Sequence, residues 1–80
     1  MTLGSASRVN SYVMRIYADV PNVVEQIAWV RERATDADLL RERLVGSGNV
    51  DPIRAPRDAR MWNAVLMSLQ ALADVDSARN

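Results

Sequence analysis

Apolar residues recur along this chain every three or four positions, in stretches separated by short polar segments, and that spacing predicts an all-α protein. From Ser7, taken as an N-cap, Val9, Tyr12, Val13, Ile16, Tyr17 and Val20 share one side of a helix, and Arg8, Ser11, Arg15 and Asp19 share the other. The β-branched residues in this stretch also suit a strand. Strict alternation nevertheless fails at the adjacent pairs Tyr12-Val13 and Ile16-Tyr17, which favours the helix. Met1 to Ala6 is small and polar apart from Leu3 and reads as a frayed tail.

Pro21 interrupts the pattern, and a second helix starts around it with Asp19 or Asn22 as cap. Its apolar face carries Val23, Ile27, Val30 and Ala34, widened by Val24 and Ala28. Thr35 followed by Asp38 resembles a capping box in its Asp form. That box opens a short helix which turns Ala37, Leu40 and Leu44 inward before Gly46 ends it. Gly46-Ser47-Gly48-Asn49 is the clearest loop and runs on through Pro52 to Pro56. The last helix is expected from Pro56 to Asp74, with Met61, Trp62, Val65, Leu66, Leu69, Leu72 and Ala73 in one broad apolar arc. Arg60, Asn63, Gln70 and Asp74 lie opposite that arc, and Val75 to Asn80 reads as a polar tail.

These elements predict one helical domain over residues 1–80, ordered from about Ser7 to Asp74, built as a bundle of three or four helices. The expected core is Val9, Val13, Ile16, Ile27, Val30, Leu40, Leu44, Trp62, Val65, Leu69 and Leu72. A chain of 80 residues builds only a small core, so oligomerisation or a permanent partner is an expected source of extra stability.

Composition narrows the chemistry. There is no cysteine and no histidine, which removes disulfides, thiolate or imidazole metal sites, and nucleophiles of the Cys-His or Ser-His kind. All ten basic residues are arginines, so no lysine is present for Schiff-base or general-base work. Carboxylates and tyrosines remain, but so short a chain rarely encloses a catalytic cavity of about 300 Å³ or more. The expectation is a non-enzyme without catalytic residues, metal, cofactor or small-molecule substrate.

Ten acidic residues balance the ten basic ones, so no field of the whole molecule draws it to nucleic acid or an anionic membrane. No apolar run approaches the roughly 18 residues of a membrane span, and no charged-then-apolar leader opens the sequence. The expected location is the cytoplasm, with no membrane partner.

Four surface features stand out. Trp29 falls among Glu25, Gln26, Glu32 and Arg33 on the polar side of the second helix. It is either a partner hot spot or a ring covered by another part of the chain, such as the tail or the Gly48 to Pro56 loop. Arg33, one turn on, is placed to stack on it in both cases. Met67 lies between Ala64 and Ala71 on the polar side of the last helix, forming a smooth apolar strip. That strip accepts a partner helix or a second copy, or is covered within the bundle. Arg54, Arg57 and Arg60 crowd the start of the last helix, where cations oppose the macrodipole unless an anion is near. Asp51 and Asp58 are close enough in sequence to neutralise them. The alternating charges Arg31, Glu32, Arg33, Asp36, Asp38, Arg41, Glu42 and Arg43 read as a solvated face with an Asp38-Arg41 pair, or as the rim of an interface around Trp29.

Residues 22–45 also fit a helix-turn-helix, but its second helix would begin Asp36-Ala37-Asp38 and present carboxylates to the DNA. The function expected from these observations is protein binding, as inhibitor, antitoxin-like neutraliser, adaptor or accessory subunit. The binding residues would be Trp29, Arg33, Glu25, Met67, Arg54, Arg57 and Arg60. Two alternatives stand beside it: a dimeric nucleic-acid-binding regulator using Arg54, Arg57 and Arg60, and a self-assembling structural subunit.

Overall fold

The computed structural model describes residues 3–33 and 36–79, which form helices and no strand. In chain order they are α1 Leu3–Tyr17, α2 Asn22–Arg33, α3 Ala37–Gly46 and α4 Ala59–Arg79. The protein is an all-α bundle, and the helix pattern of the sequence accounts for each element. α4 packs against all three other helices, and α2 and α3 also pack on each other. The fold measures 38 × 23 × 20 Å with a radius of gyration of 11.9 Å.

Several boundaries differ from the sequence pattern, each for a local reason. α1 begins at Leu3, so Ser7 lies inside the helix and the expected frayed tail is helical from that residue. Leu3 and Ala6 continue the three-to-four-residue spacing that leads to Val9 and Val13. α4 starts at Ala59, three residues after Pro56, because the Asp58 carboxylate caps it by accepting the backbone N–H of Arg60 at 3.0 Å and of Met61 at 3.4 Å. At its other end α4 runs past Asp74 to Arg79 through a stretch with no glycine or proline, so Val75 to Arg79 is helix where a polar tail was expected.

α3 is capped by Asp36, whose carboxylate accepts the N–H of Asp38 at 2.8 Å and of Leu39 at 3.4 Å. Thr35 and Ala34, expected as cap and core residue, lie outside the described residues. Gly46 is the last residue of α3, but Gly48 makes the turn, with φ at +83°. The Gly48 N–H reaches the Val45 carbonyl at 3.1 Å and the Asn49 N–H reaches the Leu44 carbonyl at 3.0 Å, the pattern of a Schellman cap. The Asn49 side chain then donates to the Asp19 carboxylate, joining this loop to the α1–α2 turn.

The core lies where the helical stripes meet. Val13 and Ile16 of α1, Val23, Ile27 and Val30 of α2, and Leu40 and Leu44 of α3 close around Trp62, Val65 and Leu69 of α4. No polar or charged residue is buried among the described residues. Val9 and Leu72, expected inside, are half-buried at the margin. Val50 joins the core from the loop, and Met61, Leu66 and Ala73 complete the α4 side. The indole Nε1 of Trp62 donates to the Pro56 carbonyl at 2.8 Å, which satisfies the one polar atom of this fully buried ring.

Candidate functional site

Trp29 is half-buried against the core. The Arg33 guanidinium stands 4.8 Å from the ring centroid and the Arg43 guanidinium, from α3, stands 4.4 Å away. Arg43 is held there because its Nε donates to Gln26 Oε1 at 2.6 Å. Trp29 therefore seals the seam between α2 and α3 with two cation–π contacts, each worth about 0.5–1 kcal/mol at such a site. Arg33 stacks on Trp29 as its spacing indicated, whereas the contribution of Arg43 depends on how α3 docks. Glu25 is exposed. Gln26, Glu42, Arg43, Gly46 and Ser47 line an open polar hollow of about 400 Å³ on the same side.

Along the alternating charged run, Arg31 pairs with Asp74 at 3.2 Å and also reaches the Gln70 carbonyl at 3.4 Å, tying α2 to α4. Glu32 and Arg33 lie 3.9 Å apart. The Asp38-Arg41 pair expected from spacing is not formed among the described residues: Arg41 is half-buried and Asp38 is exposed at the start of α3.

Met67 is 70% exposed. No other helix covers it, because α1, α2 and α3 all meet the opposite side of α4. Ala71, Val75 and Ala78 are exposed on the same outer face, Val75 to 57%, with Ala64 and Ser68 half-buried along its margin. Between Arg60 and Asp74 the helix carries no charged residue at all. Arg60 and Asp74 stand opposite the core stripe, as on an ordinary surface helix, but the 13 residues between them leave that face without a charge for more than three turns.

The arginine cluster is rearranged. Arg54, Arg57 and Arg60 are all exposed, but Arg54 joins Arg8, Ser11, Tyr12 and Arg15 around a cleft of about 180 Å³, whose lining does not include Arg57 or Arg60. The four α1 residues follow one another at helical spacing along one ridge. Arg54 is brought to them because the Tyr12 hydroxyl donates to its backbone carbonyl. Asp51 and Asp58, expected to neutralise the cluster, form no ion pair with it among the described residues. Asp51 Oδ1 accepts the Ile53 N–H at 2.9 Å, and Asp58 is engaged at the α4 N-terminus. Ile53, at the turn beside Arg54, is 92% exposed.

Arg8, Ser11 and Arg15 could be assigned to an exposed helical face from spacing alone. That they face Arg54, far along the chain, carries no local signal. Among the described residues no helix is long and apolar enough to cross a membrane. Comparison of the chain with protein families, with curated proteins and with solved structures finds no match.

Proposed function

We propose that this chain is a non-catalytic protein-binding module and that its partner lays an apolar helix lengthwise along the outer face of α4. The observation that carries this reading is the charge-free stretch of the outer face of α4 between Arg60 and Asp74, with Met67 70% exposed at its middle and Val75 57% exposed beyond Asp74. Covering an exposed methionine or valine side chain contributes roughly 1.5–3 kcal/mol when burial is complete. Ala64, Ala71 and Ala78 leave room for a second helix to approach closely, and methionine adapts to the surface it meets. Inhibitor, neutraliser, adaptor and accessory subunit all use such a surface.

A second copy of the chain is a particular case of the same reading, favoured by one feature of spacing. Arg60, Met67 and Asp74 stand seven residues apart on adjoining positions of one helix face. Two α4 helices crossing antiparallel at Met67 would bring Arg60 of each copy towards Asp74 of the other, where it would share that carboxylate with Arg31, a self-complementary arrangement of the twofold kind.

The test is light scattering over a dilution series for the wild-type chain and for Met67→Glu, with crosslinking from a native extract in parallel. A dimer that Met67→Glu dissociates, with helix content unchanged, supports the second-copy case. A monomer whose α4 crosslinks a defined protein in a Met67-dependent manner supports a separate partner. A monomer with no Met67-dependent association in either experiment overturns the reading.

A further inference from the structure

The cleft between α1 and the 51–57 segment gathers positive charge. Arg8, Arg15 and Arg54 line it together with Ser11 and Tyr12, and no carboxylate does. None of the three arginines takes part in an ion pair among the described residues. The nearest acidic residues in sequence to Arg54 are Asp51 and Asp58; both accept backbone N–H groups and neither lines the cleft. In a chain whose formal charge is +0, three cations around one hollow concentrate positive charge locally.

We propose that this cleft binds the dianionic phosphate group of a small ligand, as inorganic phosphate or a phosphomonoester. Guanidinium groups present planar donor forks that match the oxygens of a phosphate, and three arginines line this cleft from two separate elements. The Ser11 hydroxyl adds a fourth donor on the α1 side. The Tyr12 hydroxyl already donates to the Arg54 carbonyl, so its part is to hold the 51–57 backbone against α1. The volume, about 180 Å³, suits a tetrahedral oxyanion. It is well below the roughly 300 Å³ at which pockets for whole nucleotides or drug-sized ligands begin. This inference does not depend on the outer face of α4, which is built from other residues.

The experiment is a titration of the full chain with inorganic phosphate, then with phenyl phosphate. Arginine Nε–H and backbone amide resonances are followed by NMR at constant ionic strength set with chloride. Saturable shifts confined to Arg8, Ser11, Arg15 and Arg54 are expected. Arg8→Gln or Arg15→Gln should weaken binding by roughly tenfold, while Arg57→Gln and Arg60→Gln leave it unchanged. All four side chains are exposed, so the variants should keep the wild-type spectrum elsewhere. Saturation by both ligands supports a phosphomonoester site, and saturation by inorganic phosphate alone supports a site for the free ion. Shifts that stay linear, or that appear equally at Arg57 and Arg60, overturn the proposal. So does binding seen only with a single-stranded oligonucleotide and lost gradually with every arginine removed, which would mark a diffuse polyanion surface.

Discussion

The rings of Tyr12 and Trp62 meet with centroids 5.3 Å apart and planes tilted by 47°, and each sends its polar atom to the same connecting segment. Tyr12 donates to the Arg54 carbonyl and Trp62 to the Pro56 carbonyl. One aromatic pair thus joins α1 to α4 and holds the α3–α4 connection against both, which also places Arg54 beside Arg8 and Arg15.

Removing the Trp62 ring and removing the Tyr12 hydroxyl should have different consequences. Trp62→Ala empties a fully buried site and is expected to cost about 3–5 kcal/mol, against a total of about 4–12 kcal/mol for a chain of this size. Cooperative thermal unfolding, followed by circular dichroism, should be lost or displaced far down the temperature axis. Tyr12→Phe keeps the ring and removes one hydrogen bond, for about 1 kcal/mol and a fall in Tm of about 4–8 °C. Equal effects from the two changes would show that burial of Trp62 does not organise the core.

Gly46 and Gly48 should respond to alanine with opposite signs. Gly46 is helical and a Cβ there meets nothing within 4 Å, so Gly46→Ala should stabilise by about 0.5–1 kcal/mol. Gly48 has φ at +83°, where an L side chain is strained, and Gly48→Ala should destabilise by about 1–2 kcal/mol. Urea midpoints of the two variants measure this directly, and a loss of stability at Gly46 would contradict the α3 terminus described above.

Each capping aspartate should matter where its neighbours do not. Asp36→Ala and Asp58→Ala each remove a carboxylate that serves two backbone N–H groups, at an expected cost of about 0.5–2 kcal/mol. Asp38→Ala, on an exposed side chain, should stay within about 0.5 kcal/mol of wild type. Chemical denaturation of the three variants side by side gives the comparison.

Arg43→Ala should uncover Trp29. It removes the closer of two guanidinium groups over the ring and the bond that anchors it to Gln26. Tryptophan emission should move to the red and iodide quenching should rise, over a constant contribution from the fully buried Trp62. An unchanged spectrum would mean that Arg33 alone shields the indole.

Much of the fold is readable before any coordinates. Val13, Ile16, Ile27, Val30, Leu40, Leu44, Trp62, Val65 and Leu69 are inward by spacing and buried in fact. The candidate surfaces are readable only in part. Trp29 and Met67 both stand out as apolar residues on polar faces, yet one is held under Arg43 and the other is bare. Nothing local separates them, because the difference lies in which helix docks alongside. Sequence proximity likewise suggests Arg54, Arg57 and Arg60 as one group, but the Tyr12 hydroxyl draws Arg54 away to Arg8 and Arg15.

Helical spacing, punctuated by Pro21 and the glycine-rich loop, carries the all-α class and the inward face of each helix. It can do so because a helix repeats every three to four residues, and that geometry is written into consecutive positions. Which faces remain uncovered, which cations converge and which carboxylates are already engaged depend on residues tens of positions apart. Those relationships arise only when the connections close and the apolar stripes pack against one another, so the bare outer face of α4 around Met67 and the arginine-lined cleft belong to the tertiary structure.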